Sequence, residues 1–125
     1  MIMRRALLSI RDRFDRAGIF LSGLCAVHCV LGLVLVSVLG LGGGSLLAPQ
    51  IHEIGLALAV AIGFLALGAG FARHGRSAPM ALGAVGLVIM ASALAVGHGV
   101  AEAVLTIGGV SVLASAHLWN LRGAY

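Results

Sequence analysis

Residues 18–41 of the chain read GIFLSGLCAVHCVLGLVLVSVLGL and contain no charged side chain. An α-helix rises about 1.5 Å per residue, so this stretch is long enough to cross a hydrocarbon core of about 30 Å. Three of its side chains carry metal-binding atoms, namely Cys25, His28 and Cys29. The stretch therefore predicts a transmembrane helix that holds two thiols and an imidazole inside a membrane.

The composition excludes an ordinary water-soluble domain. Hydrophobic residues make up 61% of the 125 residues, charged residues make up only 10%, and the sequence has no lysine. A soluble domain carries about 25% charged residues, because water must cover its surface. The formal net charge is +4, but no basic stripe is interleaved with aromatic residues, which argues against nucleic acid as a partner. The lipid bilayer is the expected partner.

The chain divides into a short basic segment and a hydrophobic domain. Residues 1–16 combine arginines with apolar residues at heptad-like spacing, which predicts an amphipathic helix lying at the membrane surface. A signal peptide fits less well, because the apolar stretch that follows is longer than such peptides have. Residues 17–125 are predicted to form an all-α, polytopic domain of four transmembrane helices. The predicted spans are residues 18–41, 51–71, 80–96 and 100–121.

The arginines predict the orientation. All eight lie in the N-terminal segment, in the turn after the second span or at the C-terminus. By the positive-inside rule, both termini are expected in the cytoplasm. The two cysteines are expected to be free thiols, which suits an inner membrane facing a reducing cytosol. Four short helices make a thin bundle, and the sequence leaves open a homo-oligomer that builds a path between subunits.

Cys25, His28 and Cys29 are the strongest candidates for a metal site. Positions i, i+3 and i+4 share one face of a helix, so the three side chains point the same way. Thiolate and imidazole are ligands for Zn(II), Cu and heavier thiophilic ions. His117, near the end of the fourth span, is expected in the same leaflet and would complete a Cys2His2 set. A hydrogen bond between helices is the alternative for His117.

A second group of candidate ligands is expected at the opposite, outer face. It consists of His52, Glu53, His98 and Glu102. Carboxylate and imidazole groups there would attract a divalent cation and release it easily, before thiolates deeper in hold it more strongly. Hydration at the interface explains the same residues equally well. Two further groups have ordinary explanations: Asp15 as a local ion pair with Arg11 and Arg16, and His74 as a solvated side chain.

Two stretches resemble the MerC-domain family. They are Asp15–Gly18 with Ser22–Cys29 (SGLCAVHC) and Leu105–Gly109 with Ala116–Arg122 (AHLWNLR). The family consists of small four-helix proteins of the bacterial inner membrane associated with mercuric-ion uptake. The resemblance implies that Cys25 and Cys29 are the metal-carrying thiols. Mercury-operon members have C-x-x-C at this place and further cysteines in the tail, whereas this chain has C-x-x-H-C and no tail thiol. Such a set suits Zn(II) or Cu better than Hg(II) bound by thiols alone.

The expected function is transport of a heavy-metal ion, such as Hg²⁺, Zn²⁺ or Cu, across the inner membrane towards the cytosol, with no catalytic role and no required cofactor. An accessory or sensor protein that binds metal or haem without transporting it is the alternative. An intramembrane redox enzyme using Cys25 and Cys29 is disfavoured. No basic group lies near the pair to lower a thiol pKa, and the chain has no dinucleotide-binding fingerprint.

Overall fold

The computed structural model describes residues 2–39, 49–97 and 99–122, and in those residues it consists of helices joined by turns. The predicted all-α architecture of four helices is confirmed. Three of the helices are long and apolar enough to cross a membrane, and the third along the chain is apolar but shorter. In chain order the helices are α1 (Ile2–Leu39), α2 (Pro49–His74), α3 (Ala78–Ala93) and α4 (Val100–Arg122).

Helix α1 is longer than any membrane crossing needs. Its 38 residues correspond to about 57 Å, against a hydrocarbon core of about 30 Å. Residues 2–16 are helical, as predicted, but they continue into the first span without a break. Within Asp12–Leu35, α1 contains a stretch that is long and apolar enough to cross a membrane, and this stretch overlaps the predicted span 18–41. Residues 40–45 (GLGGGS), whose glycines predict a flexible turn after this span, lie outside the described residues.

Helices α2 and α4 match their predicted spans to within a few residues, whereas α3 is shorter than predicted. Its 16 residues correspond to about 24 Å, which is less than a full crossing. Pro79 lies in its first turn, where a missing N–H costs no hydrogen bond. The predicted span continued to residue 96, but the chain leaves the helix after Ala93. Gly97 follows in the left-handed region, with φ of 74°.

Helix α4 is the central element, because it packs on both α3 and α1. Gly86 of α3 and Gly109 of α4 allow the α3 and α4 backbones to approach closely. A Cβ atom built on Gly109 would lie 2.9 Å from the carbonyl oxygen of Gly86. In lipid the hydrophobic effect does not drive helices together, so close van der Waals packing at small residues stabilises their contact. The buried cluster that joins these helices to α2 is small: Ala59, Leu67, Met90, Val110, Leu113 and Ala116.

The outside of the bundle is apolar. Phe64 is 79% exposed, and Phe20 and Val88 are each 68% exposed. Large apolar side chains cover all four helices in this way, and a water-soluble monomer rarely exposes so continuous an apolar surface. Lipid chains are the natural cover for such a surface. The fold is that of a polytopic membrane protein.

Candidate metal centre

Three candidate ligands from two helices meet inside the bundle. His28 and Cys29 come from the middle of α1, and His52 comes from the first turn of α2. One ligand atom from each lies within 4.8 Å of the others. Cys29 is buried, and the two histidines are partly buried, with their ring centroids 5.4 Å apart. The cluster forms because α1 and α2 are consecutive helices that pack against each other.

The spacing of the closest pair matches that of two ligands on one ion. Cys29 Sγ lies 3.6 Å from His52 Nε2. Metal–sulfur and metal–nitrogen bonds of about 2.3 Å and about 2.0 Å, set at the tetrahedral angle, would place these atoms about 3.5 Å apart. The pair therefore already has the separation that a tetrahedral Zn(II)-like site requires. His28 is close enough to supply a third ligand after a small movement of its ring.

A carboxylate from a third helix approaches the same histidine from its other side. Glu102 Oε1, on α4, lies 3.2 Å from His52 Nδ1, and the side chains are 10% and 14% exposed respectively. A negative charge at this position favours the tautomer with its proton on Nδ1, which leaves the Nε2 lone pair directed towards Cys29. Metal-binding histidines commonly have a carboxylate on this side of the ring, and Glu102 lies within ion-pair distance of His52 here.

Cys25 lies one helical turn before Cys29, beside Gly55 of α2, which has no side chain. A Cβ atom built on Gly55 would lie 3.6 Å from Cys25 Sγ, so the glycine leaves room next to the thiol. A cleft of about 450 Å³ opens here between the helices. Its lining is apolar apart from a few groups, of which Cys25, His28, His52 and Thr106 are the ones with binding atoms. The cleft gives a small ligand access to the candidate ligands.

The structure combines candidates that the sequence analysis placed in opposite leaflets. Cys29 and His28, expected near the cytoplasmic side, lie beside His52 and Glu102, expected at the outer face. The predicted ladder from outer carboxylates to deeper thiolates is therefore wrong for these four residues, which form one layer. Two outer candidates are not part of it: Glu53 is exposed, and His98 lies outside the described residues.

His117 is far from this cluster. Its Nδ1 atom lies 2.7 Å from Asp15 Oδ1, and its ring packs on Gly18 of α1. Gly18 precedes Cys25 by seven residues, or about 10 Å of helix. The structure therefore does not bring His117 to the cysteines to complete a Cys2His2 set. The alternative given for it, a hydrogen bond between helices, describes its position.

The partner of His117 belongs to a polar network that the sequence analysis missed. Asp15, predicted to pair locally with Arg11 and Arg16, is fully buried and bonded to His117 and Asn120. His74, predicted to be solvated, lies 3.0 Å from Asn120 Oδ1 through its Nε2. Both predictions are wrong. This second layer lies about 21 Å from the first, since fourteen residues of α1 separate Asp15 from Cys29.

A pattern in the sequence contains the missing information. Starting from Asp15, buried or half-buried residues recur along α1 at alternating steps of three and four. Such spacing marks one continuous face of a helix. The residues on that face are Asp15, Gly18, Ser22, Cys25, Cys29 and Gly32. An acidic side chain in register with two cysteines therefore points into the bundle, whatever charges neighbour it in the sequence.

Comparison with known proteins identifies the family of the chain. No curated protein and no solved structure matches the chain. The profile of a protein family described as MerC mercury resistance protein matches residues 15–122, a range that contains all four helices' cores and both polar layers. This match confirms the resemblance seen in the first and fourth spans. The chain belongs to the MerC mercury resistance family of transport-related membrane proteins.

Proposed function

We propose that this protein carries a soft or borderline divalent metal ion, of the class of Hg²⁺, Zn²⁺ or Cu, across the bacterial inner membrane towards the cytosol. The observation that carries the proposal is the 3.6 Å separation of Cys29 Sγ and His52 Nε2, with His28 within 4.8 Å. Membership of a mercury resistance family supports the same conclusion. The ion is the cargo and no cofactor is needed.

The ligand set explains how an ion is taken up. A thiol loses its proton when a metal ion approaches, so binding at Cys29 releases a proton and forms a thiolate. The imidazole of His52 lies beside the carboxylate of Glu102. Mixed nitrogen and sulfur ligands suit Zn(II) or Cu. Cys25, one turn away on the same face, offers a second thiol to which the ion can transfer. Hg(II), bound by two thiolates, would use Cys25 and Cys29.

The arginines indicate the orientation of the bundle in the membrane. The end of the bundle that contains the N-terminus, the α2–α3 turn and the C-terminus holds all eight arginines, and the positive-inside rule assigns it to the cytoplasm. His52 and Glu102, near the starts of α2 and α4, then face the other side. An ion that arrives from outside meets the Cys/His layer first and must pass the Asp15 layer to leave.

That second layer favours one alternative function. Asp15, His117 and Asn120 are each 0% exposed and close the bundle between α1, α2 and α4. A protein that stays closed at this end would bind a metal ion or haem without transporting it and would act as an accessory or sensor protein. Flux and binding measured on the same preparation separate the two functions.

The experiment uses the full-length chain purified and reconstituted in liposomes, with Zn²⁺ and Hg²⁺ as probes and a metal-sensitive dye enclosed. We expect the wild type to bind each ion and to raise the internal metal signal. We expect Cys25→Ser/Cys29→Ser to lose both binding and flux, while Glu53→Gln, one residue from His52 but exposed, keeps both. Unchanged binding by the double variant would refute the site. Binding without flux in the wild type would favour the accessory function.

A further inference from the structure

The side of α1 that faces away from the bundle has two chemically different halves. Exposed side chains recur along it at steps of three and four residues, a spacing that marks one continuous face of a helix. By the rotation of about 100° per residue, this face lies opposite the one that carries Asp15 and the cysteines. Its residues are Arg5, Ser9, Arg13, Arg16, Phe20, Leu24, Val27 and Leu31. The first half is basic and the second half is apolar.

The basic half forms a groove on the surface. The groove has a volume of about 470 Å³, and its lining consists of Arg5, Ser9, Asp12, Arg13 and Arg16. Three arginines and one aspartate give this lining a formal net charge of +2. Each guanidinium group presents paired N–H donors that match two oxygens of a phosphate, and a serine hydroxyl can donate one further hydrogen bond. The basic groove therefore suits a phosphate group.

The level of the basic groove along α1 is that of a membrane–water interface. Trp119 of α4 is 44% exposed and lies two residues after His117, which bonds to Asp15 of α1. Exposed tryptophans are enriched where the headgroups of a membrane begin. Arg13 and Arg16 lie within two residues of Asp15, so their side chains belong to the same level. A phosphate held by them would lie among the lipid headgroups.

The apolar half, which we call the apolar column, has the length of one lipid chain. Its large side chains are between 51% and 68% exposed. From Phe20 to Leu31 the helix rises about 16 Å, which compares with about 15 Å for half of a hydrocarbon core of about 30 Å. Phe20 follows Arg16 by four residues, or about 6 Å. That distance is about the thickness of the headgroup region on one side of a membrane.

We propose that this face of α1 binds one anionic phospholipid, with the lipid phosphate in the basic groove and an acyl chain along the apolar column. Arginines that adjoin a transmembrane helix attract anionic headgroups. A free phosphate ion would contact only the groove, whereas a phospholipid contacts the groove and the column that continues it on the same face. The proposal requires that α1 crosses a membrane, and it does not depend on metal transport.

The experiment compares two lipids with identical acyl chains. The purified full-length protein in detergent is titrated with phosphatidylglycerol or with phosphatidylcholine, and native mass spectrometry counts the lipids bound. We expect the first phosphatidylglycerol to bind at least about tenfold more tightly than phosphatidylcholine. Arg13→Gln/Arg16→Gln should remove most of this preference, because an arginine beside an anionic lipid contributes roughly fivefold in affinity.

Arg76→Gln/Arg122→Gln is the matched control. Both arginines are exposed and lie at the same end of the bundle, but neither lines the groove. The control removes the same two charges and should keep the wild-type preference. If the two double variants lose the preference equally, the attraction is an effect of net charge and the proposal is wrong. Inorganic phosphate in large excess should leave the lipid bound, and displacement by it would overturn the proposal by showing that the chain contributes nothing.

A second measurement locates the lipid without changing an arginine. Phe20→Trp, in a Trp119→Phe background, places the single indole on the apolar column. Val88→Trp in the same background is the control, since Val88 is equally exposed, at 68%, but lies on α3. In phosphatidylcholine vesicles, brominated phosphatidylglycerol should quench the first variant at a lower lipid fraction than the second, after each is normalised to brominated phosphatidylcholine. Coincident quenching curves would refute a phospholipid site on α1.

Discussion

The carboxylate of Glu102 provides the sharpest test of how the metal centre is built. Glu102 lies 3.2 Å from His52 Nδ1, on the side of the ring opposite the Cys29 thiol, so we expect it to position the histidine and not to bind the ion. Removing such a carboxylate typically costs 10-fold to 100-fold in metal affinity. The alternative, that Glu102 is itself a ligand as the sequence suggested, predicts a much larger loss.

Two substitutions divide this effect into its parts. Glu102→Gln keeps the shape of the side chain but removes the negative charge that lies 3.2 Å from His52 Nδ1, so the variant loses the electrostatic part of the contact. We expect a loss of about tenfold in affinity, or about 1.4 kcal/mol. Glu102→Ala removes the contact altogether, and we expect a loss of about 100-fold, or about 2.7 kcal/mol.

The assay is competition between the protein and a coloured chelator for Zn²⁺, repeated with Cd²⁺, whose bond to thiolate absorbs in the ultraviolet. The exposed neighbour of His52 supplies the control, because Glu53→Gln should keep the wild-type affinity. Two results would refute the reasoning. If both Glu102 variants bind as tightly as the wild type, the carboxylate has no role, and if Glu102→Gln is as weak as Cys29→Ser, Glu102 is a ligand.

Three further predictions concern packing and access. Gly109→Ala should lower the free energy of unfolding by about 1–3 kcal/mol, because the new Cβ would lie 2.6–2.9 Å from atoms of α3. Gly108→Ala is the control and should not destabilise the protein, because its Cβ would have nothing within 4 Å. Reversible unfolding in detergent measures both. Gly55→Leu should fill the cleft and slow alkylation of the cysteines by a maleimide severalfold, and Gly23→Leu, which faces open space, should not. Asn120→Ala should cost about 2–4 kcal/mol, since it leaves a buried carboxylate and a buried carbonyl with fewer donors; a melting temperature close to that of the wild type would contradict the buried network.

The helices could be predicted from the sequence because hydropathy alone determines which segments enter lipid. The predicted spans and the observed helices agree to within a few residues for α2 and α4. The ends of α1 and α3 could not be predicted in the same way. The arginines of residues 2–16 change the polarity of α1 but not its backbone, since arginine is a good helix former. In α3, the turn before Gly97 ends the helix although its residues remain apolar.

The predicted positions of the candidate ligands across the membrane were wrong for a related reason. Cys29 was expected in the cytoplasmic leaflet because it lies in the first half of the predicted span 18–41, and His52 at the outer face because it lies at the start of the next span. In the structure α1 continues for ten residues beyond Cys29, whereas α2 begins three residues before His52. Cys29 nevertheless lies beside His52, so α1 extends past the start of α2 at this end of the bundle. The prediction that Cys25, His28 and Cys29 share one face depended only on helix geometry. It did not require the relative level of two helices.

The face of α1 that carries the cysteines also explains why a carboxylate lies at the opposite end. Asp15 and Cys29 are fourteen residues apart, a whole number of turns to within about 40°, so both must point into the bundle. Because α1 is one unbroken helix, a rotation that exposes the thiols to an incoming ion also turns Asp15 against His117. The geometry thus links the two layers through a single helix, and a rotation of α1 at one layer would alter the packing at the other. Inserting one alanine between Gly18 and Ser22 would rotate the layers by about 100° relative to each other. That insertion should break the Asp15 network while leaving the spacing of Cys25, His28 and Cys29 intact, and a bundle that tolerates it without loss of stability would show that the two layers are independent.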